Sequence, residues 1–266
     1  MLDLDAALWA LGAMALLALA TWLASLARND ASIVDSVWSL FFVLGALVYA
    51  YRTPIDVSAP RPLLVVALLG VWALRLCAYI TWRNRGRGED RRYQAIRARN
   101  QPGFAWKSLY LVFGLQALLA WIIAMPALAA LHGTRPLGAL DVAGVALWLL
   151  GFAFEAVGDW QLARFRADPD HHDRVLDSGL WRYTRHPNYF GEAAIWWGFF
   201  VLAVAAGAWW TVFGPLLMTV LLLRVSGVAL LERDIGARRP AYRDYMARTS
   251  AFIPWLPKPA SSWMRP

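Results

Sequence analysis

The chemistry-bearing residues of this sequence gather where a basic stretch meets an apolar run. The decapeptide YTRHPNYFGE, residues 183–192, places Asn188 and Glu192 four residues apart, on one face of a helix. Glu155 and Asp159 have the same spacing within the preceding apolar run. Ionisable groups inside membrane spans are costly and usually face a cavity or a partner. Any one of them alone is equally well explained as an interhelical bond, but the set favours a ligand site.

A second group of polar residues lies in the segment WRNRGRGEDRRYQAIRARN, residues 82–100. Arginine forks bind phosphate in a bidentate manner, and neighbouring glycines let backbone amides approach an anion. Asn84, Arg85 and Arg87 are therefore candidates for a phosphate ligand, whereas the later arginines are more simply explained as contacts to anionic lipid headgroups. No set of cysteines and spaced histidines completes a zinc site, which predicts no metal centre.

The elements that must position these residues are apolar helices. The 266 residues are 59% hydrophobic and 17% charged, whereas roughly a quarter of a soluble domain is charged. Runs of about 20 apolar residues recur, which is the length of a transmembrane helix. The sequence thus predicts an all-α integral membrane protein, a seven-transmembrane helix bundle with a single domain over residues 1–266. The predicted spans are 5–27, 32–51, 62–82, 108–131, 138–163, 189–206 and 209–231.

Positive charge is distributed unevenly over the predicted loops. Of the 26 Lys and Arg residues, 21 fall on one side of the seven predicted spans. Because cytoplasmic loops carry an excess of Lys and Arg, the N-terminus is predicted outside and the C-terminus in the cytoplasm. The lipid bilayer is the expected partner. Nucleic acid is not, since the arginines lie in short loops between spans, and no obligate protein partner is evident.

Three motifs, RYTRHPNYFGE, GDWQLARFR and RNRGRGED, together carry a family resemblance. At these motifs the sequence resembles the membrane steroid 5α-reductases, in a bacterial, DUF1295-like branch of the 3-oxo-5α-steroid 4-dehydrogenase superfamily. The resemblance covers most of the chain and is weaker near the N-terminus. It implies NADPH as cofactor, a bacterial inner membrane with the cofactor site facing the cytoplasm, and reduction of the C=C bond of an apolar enone lipid such as a 3-oxo-Δ4 steroid.

The resemblance also implies roles for individual residues. Asn188 and Glu192 match a pair that holds the nicotinamide end, Asp159 and Arg166 match cofactor-binding residues of the fifth helix, and Arg174 matches a further arginine near the phosphates. Glu155 departs from the family, which has an asparagine there. The complete predicted cofactor set is Asn84, Arg85, Arg87, Glu155, Asp159, Arg166, Arg174, Tyr183, Arg185, His186, Asn188, Glu192 and Arg224.

The catalytic residues implied by the resemblance match less well. Asp35 sits where the family has a glutamate that points at the substrate ketone. Desolvation can keep such a carboxyl protonated, so that it donates a hydrogen bond to the ketone oxygen. The family tyrosine that partners this carboxyl falls at Ala73 here and is not matched. Tyr79, nearly two turns later, is the nearby alternative, so Asp35 and Tyr79 are the predicted catalytic pair.

Two other functions remain open from the sequence. RHPNY and PAYRDYMARTSAFIP also resemble the isoprenylcysteine carboxyl and phospholipid methyltransferases. Their cofactor, S-adenosylmethionine, has no phosphate and gives no common use to the arginines. A transporter or a structural membrane protein is a third class, against which the sequence shows no repeat symmetry and no pair of broken helices.

Overall fold

Helices form the whole regular structure of the described residues. A computed structural model describes residues 2–171, 174–225, 227–233, 235 and 241–259. These residues contain no β-strand, which confirms the all-α prediction. The helices are α1 Leu4–Arg28, α2 Ile33–Arg52, α3 Pro60–Asn84, α4 Arg91–Arg99, α5 Phe104–Ala130, α6 Ala139–Ala167, α7 Pro187–Ala205, α8 Trp209–Glu232 and α9 Ala241–Arg248.

Six helices in the described part of the chain are long and apolar enough to cross a membrane: α1, α2, α3, α5, α6 and α8. They support an integral membrane protein. The predicted sixth span, 189–206, forms α7, a helix of 19 residues that is not among the six. The polar residues Asn188 and Glu192 in its first turns lower its mean hydropathy. The count of seven spans is therefore not confirmed, and the orientation of the termini stays a prediction.

Local sequence signals set the helix ends. Asp3 caps α1, because its Oδ1 accepts a hydrogen bond from the backbone N–H of Ala6 at 3.0 Å. The helix ends at Asn29, whose φ of 50° is the left-handed conformation that asparagine tolerates there. Pro60 opens α3 and Pro187 opens α7, positions at which the missing N–H of proline removes no helical bond.

The first of two compact units comprises the chain up to Asp141 together with Phe199–Gly214. Its core includes the rings of Phe42 and Trp72, which are fully buried and meet edge to face at 5.4 Å. Arg61 and Asp141 form a bidentate ion pair in this unit, with both N···O distances at 2.8 Å. Their side chains are only 2% and 3% exposed. Such a pair is stable because each charge is compensated within hydrogen-bond distance.

The second unit comprises residues 142–198 and the chain from residue 215 onward. Within it, glycines bring α6 and α7 into backbone contact. A Cβ on Gly191 would lie 2.5 Å from the backbone nitrogen of Glu155 and from the carbonyl oxygen of Gly151. One heptad later, a Cβ on Gly198 would lie 2.9 Å from the backbone nitrogen of Trp148. Small residues allow this close approach of membrane helices.

We expect Gly191→Ala to lower the free energy of unfolding by about 1–3 kcal/mol, because the added methyl group meets backbone atoms of α6 that cannot rotate away. The midpoint of thermal unfolding in detergent measures this loss. Gly70→Ala on α3 is the control, since a Cβ there meets nothing within 4 Å. Equal midpoints for Gly191→Ala and the wild type would contradict the close contact.

Candidate functional site

Polar residues of α6 and α7 meet where the two helices are closest. A Cβ on Gly158 would lie 3.0 Å from Cγ of Pro187 and 3.2 Å from the backbone nitrogen of Asn188. At the next position of α6, Asp159 accepts a hydrogen bond from Nδ2 of Asn188 at 3.2 Å. Asp159 is 5% exposed, and Asn188 is half-buried. Two residues that the sequence assigned to one site are thus in direct contact.

The Asn188–Asp159 pair has a defined donor and acceptor arrangement. Oδ1 of Asn188 accepts the backbone N–H of Tyr189 at 3.1 Å, which leaves Nδ2 for Asp159. Glu155, one turn before Asp159, is buried, and Glu192, one turn after Asn188, is half-buried. A carboxylate acceptor beside an amide donor is complementary to a carboxamide, which offers one carbonyl and one NH₂ group. The pair therefore carries the donor and acceptor types that match an amide group, and binding of such a group stays a prediction.

Other predicted cofactor residues of the second unit lie at its surface. Arg166, at the end of α6, and Arg174, in the connection after it, are exposed. Arg224 is exposed in the π-helical segment Leu221–Val225 of α8. A guanidinium group at the surface can meet an anionic ligand from solution. Binding of a cofactor anion by Arg166, Arg174 and Arg224 stays a prediction.

Arg185 and His186 have partners that the sequence did not identify. Nε and Nη2 of Arg185 donate to the two carboxylate oxygens of Glu232, each at 2.7 Å. Nε2 of His186 lies 2.9 Å from Oε1 of the same carboxylate. Nη1 of Arg185 donates to the carbonyl oxygens of Met246, at 3.0 Å, and Thr249. We call Arg185, His186 and Glu232 the charge clamp, since the guanidinium is directed into the protein and Arg185 is 7% exposed.

Further hydrogen bonds tie the charge clamp to the C-terminal segment. The backbone N–H of Arg185 donates to the carbonyl of Ser250 at 2.9 Å, and the N–H of Trp255 donates to the carbonyl of Tyr183 at 2.9 Å. Oγ1 of Thr184 donates to the carbonyl of Phe252 at 2.8 Å. Residues 183–185 thus pair with residues 250–255. The cofactor roles predicted for Tyr183, Arg185 and His186 stay predictions, beside this structural role.

The electrostatics of the charge clamp favour the ionised arginine. Burial lowers the pKa of Arg185, but the hydrogen bond and the charge of Glu232 outweigh it and raise that pKa above its ordinary value. Burial, with a smaller contribution from the charge of Glu232, raises the pKa of the nearby Tyr242 to about 12. Both side chains therefore keep their protons at neutral pH.

In the first unit, Asp35 also has partners that the sequence analysis missed. Its Oδ2 accepts a hydrogen bond from Nη2 of Arg92 at 2.7 Å, and its Oδ1 accepts one from the hydroxyl of Tyr93 at 2.6 Å. Nε2 of Gln116 donates to the same phenol oxygen at 3.0 Å. Tyr93 is 6% exposed. We call Asp35, Arg92, Tyr93 and Gln116 the Asp35 cluster.

Tyr93 is the hydroxyl donor of the Asp35 cluster. Burial and the charge of Asp35 raise the pKa of Tyr93 well above its ordinary value. Asp35 accepts hydrogen bonds on both of its oxygens, one of them from the cation of Arg92. The predicted role of Asp35 as a donor to a ketone stays a prediction beside these contacts. The hydrogen-bond donor beside it is Tyr93.

Tyr79, the other predicted catalytic residue, lies on α3. The guanidinium carbon of Arg83 lies 5.9 Å from its ring centroid, within the range of a cation–π contact. The ring of Trp82 is 6.1 Å away. These contacts place the aromatic ring among the residues at the C-terminal end of α3.

The predicted phosphate loop begins where α3 ends. Oδ1 of Asn84 accepts a hydrogen bond from Nε of Arg83 at 3.1 Å. The N–H of Arg87 donates to the carbonyl of Asn84 at 3.0 Å, and Gly86 adopts a φ of 73° in this turn. Arg85 and Arg87 are exposed. Exposed cations on a tight turn suit a phosphate ligand and a lipid headgroup equally, so both interpretations stay open.

The described helices and their buried polar residues define an all-helical protein with six candidate membrane spans. The chain belongs to the DUF1295 family, described as a protein of unknown function, whose profile matches residues 21–249. That family is associated with steroid 5α-reductase-like proteins. The chain is also similar to an uncharacterized protein of Schizosaccharomyces pombe, C594.04c. The two are 25% identical over a match that covers 88% of this chain and 76% of the relative. No solved structure matches the chain.

Proposed function

We propose that this protein is an NADPH-dependent reductase of the C=C bond conjugated to a ketone in an apolar enone lipid, such as a 3-oxo-Δ4 steroid. The observation that carries the proposal is the contact between Asp159 and Asn188. These residues are 29 positions apart in the sequence, and the family resemblance assigns both to the cofactor. Their pairing in a largely buried position agrees with a shared binding role. The association of DUF1295 with 5α-reductase-like proteins agrees with it as well.

The residues of the second unit fit the groups of NADPH. Nicotinamide bears a carboxamide, for which the amide of Asn188 and the carboxylate of Asp159 supply a complementary donor and acceptor. The pyrophosphate and the 2′-phosphate require cations, and Arg166 and Arg174 are exposed in the same unit. In this proposal Asn188, Asp159 and Glu192 orient the nicotinamide end. NADPH would supply a hydride to the substrate β-carbon.

We assign the substrate ketone to the Asp35 cluster. Negative charge develops on the ketone oxygen during reduction, and a donor fixed at that oxygen stabilises it. Tyr93 holds its proton, and rotation of its O–H redirects that hydrogen bond from Asp35 to a ketone. Gln116 then orients the phenol by donating to its oxygen, while Arg92 balances the charge of Asp35. This proposal replaces the neutral Asp35 and Tyr79 that the sequence predicted.

For its location, we propose a bacterial inner membrane with seven spans and a cytoplasmic cofactor site. The support is the uneven distribution of positive charge, with 21 of 26 Lys and Arg residues on the side assigned to the cytoplasm. In this arrangement α7 spans the membrane together with the six more apolar helices. Labelling of single engineered cysteines from each side of the membrane, in a variant that lacks Cys77, tests the orientation. Reaction of a C-terminal cysteine from outside would contradict it.

We expect NADPH to stabilise the purified protein against thermal unfolding by several degrees, since a ligand at 100 times its Kd adds about 2.7 kcal/mol. S-adenosylmethionine at the same concentration should give no shift. Asn188→Ala should abolish the NADPH shift, because it removes the amide that contacts Asp159. Asn100→Ala, which removes an amide bonded to the carbonyl of Ile96, should keep it. Stabilisation by S-adenosylmethionine alone would replace the reductase with a methyltransferase.

A further inference from the structure

A cationic cleft lies between the end of α9 and the C-terminal segment of the second unit. Its volume is about 400 Å³, and its walls include Arg182, Arg248 and Lys258. Among the described residues, Asp177 is the single carboxylate in its lining. Neither the sequence motifs nor the family resemblance assigned these residues to a ligand. The cleft is large enough for a small organic ligand.

The charges of the cleft are only weakly compensated. Nη2 of Arg248 lies 3.5 Å from Oδ2 of Asp177, and the two side chains are 41% and 51% exposed. A long, solvated ion pair of this kind contributes little and yields readily to a stronger anion. The side chains of Arg182 and Lys258 have no hydrogen bond or ion pair within the described residues. Three cations against one carboxylate leave a surplus of two positive charges.

The fold holds these cations in place. Arg248 is the last residue of α9, and the backbone N–H of Lys258 donates to its carbonyl oxygen at 2.9 Å. Pro257 and Pro259 flank Lys258 and fix the backbone φ on both sides of it. Arg182 ends the short 3₁₀ helix Gly179–Arg182 and also lines the cleft. The cations are therefore presented by a constrained backbone.

We propose that this cleft binds a phosphate monoester. Two guanidinium groups can engage phosphate oxygens in bidentate geometry, and the ammonium of Lys258 adds a point charge. The surplus of two charges matches a phosphate monoester near neutral pH, which carries almost two negative charges. The volume leaves room for the group that the phosphate is attached to. That group is either a soluble nucleotide or the headgroup of an anionic lipid, and the proposal does not depend on the reductase function.

The test uses the full-length protein and two phosphate probes, each with a matched compound that lacks the phosphate monoester. Binding of 2′,5′-ADP is compared with binding of adenosine in detergent. Binding to nanodiscs that contain phosphatidic acid is compared with binding to phosphatidylcholine nanodiscs. We expect one of the two phosphate probes to bind, and its affinity to fall at least about tenfold in the triple variant Arg182→Ala, Arg248→Ala, Lys258→Ala, since charge-assisted hydrogen bonds are lost.

A control variant of equal charge separates a site from general electrostatic attraction. Arg28→Ala, Arg91→Ala, Arg99→Ala removes three exposed cations of the first unit and should leave the affinity unchanged. A selective loss of 2′,5′-ADP binding identifies a nucleotide site, and a selective loss of phosphatidic acid binding identifies a lipid site; both support the proposal. Four outcomes overturn it: equal loss in both triple variants, unchanged binding in the variant that lacks Arg182, Arg248 and Lys258, equal binding of adenosine and 2′,5′-ADP without a lipid preference, or no binding of either phosphate probe. The NADPH shift and its loss in Asn188→Ala test the reductase function separately.

Discussion

Arg185→Ala is expected to lower the free energy of unfolding by about 3–5 kcal/mol, the range found when one partner of a buried ion pair is removed. The side chains of Arg185 and Glu232 are only 9% and 12% exposed, so solvent screens the pair weakly. After truncation, His186 is the only member of the charge clamp that still contacts the carboxylate of Glu232. It also leaves the carbonyl oxygens of Met246 and Thr249 without the guanidinium that they accept from. Thermal unfolding in detergent measures the loss.

The charge clamp also predicts which part of the protein loosens first. Residues 250–255 are bonded to residues 183–185, so Arg185→Ala should increase hydrogen exchange and protease cleavage in the C-terminal segment. Arg182→Ala is the matched control. Its side chain is exposed, and a surface substitution of this kind changes stability by roughly 0.5 kcal/mol or less. If the two variants unfold at the same midpoint, the buried ion pair does not stabilise the protein.

Glu232→Gln tests the contribution of the carboxylate charge to the charge clamp. The amide keeps the shape of the side chain and one hydrogen-bond acceptor, but it removes the negative charge that offsets the burial of Arg185. We expect a smaller loss of stability than in Arg185→Ala. We expect this loss to grow as salt is lowered, because the uncompensated charge of Arg185 is then less screened. An unchanged midpoint at every salt concentration would assign the stability to the carbonyl contacts of Arg185 instead.

Short-range patterns in the sequence predicted the helices and part of the candidate site. Apolar runs located all the membrane-length helices, because hydropathy over about 20 residues directly reflects the cost of exposing polar backbone to lipid. The spacing of Glu155 and Asp159, and of Asn188 and Glu192, predicted shared helix faces. The contact between Asp159 and Asn188 then follows from glycines at the crossing of α6 and α7. These glycines are visible in the sequence, although their packing partners are not.

Long-range pairs were beyond the reach of spacing arguments. Tyr93 and Asp35 are 58 residues apart, and Arg185 and Glu232 are 47 apart. The spacing of the sequence reveals neither pair, because each contact depends on how separate elements pack and not on the face of one helix. Tyr93 lay in a segment that was interpreted through its arginines, and Glu232 ended the last apolar run. The only local signals were an aromatic residue, Tyr93, within an arginine-rich segment and an acidic residue, Glu232, at the end of an apolar one.

The predicted sixth span shows a different limit. Residues 187–205 form a helix, yet the same polar residues that make α7 a candidate for function reduce its hydropathy below that of the other spans. A ligand site would need polar residues in the first turns of α7, whereas insertion into a membrane favours apolar ones. A buried functional helix is for this reason the element that hydropathy identifies least well.

Tyr93→Phe is expected to lower the rate of enone reduction by roughly 10²–10³-fold, the range for loss of one hydrogen-bond donor to a developing oxyanion. Phenylalanine fills the same space but cannot donate to a ketone oxygen. The NADPH-induced thermal shift should stay at its wild-type value, since the contact between Asp159 and Asn188 does not involve Tyr93. The rate is measured as NADPH oxidation with a panel of enones that includes 3-oxo-Δ4 steroids.

Tyr79→Phe is the matched control, because it removes the same hydroxyl from the other candidate tyrosine. A normal rate in Tyr79→Phe beside a reduced rate in Tyr93→Phe assigns the donor to the Asp35 cluster. The reverse result restores the assignment from the sequence, in which Tyr79 serves the ketone. Asp35→Asn separates the two further. If Asp35 holds Tyr93 in place as an acceptor before the ketone binds, Asp35→Asn should lower the rate, but by less than Tyr93→Phe, because the amide keeps one acceptor oxygen. If a neutral Asp35 donates to the ketone, Asp35→Asn should leave the rate near that of the wild type, because the amide donates as well.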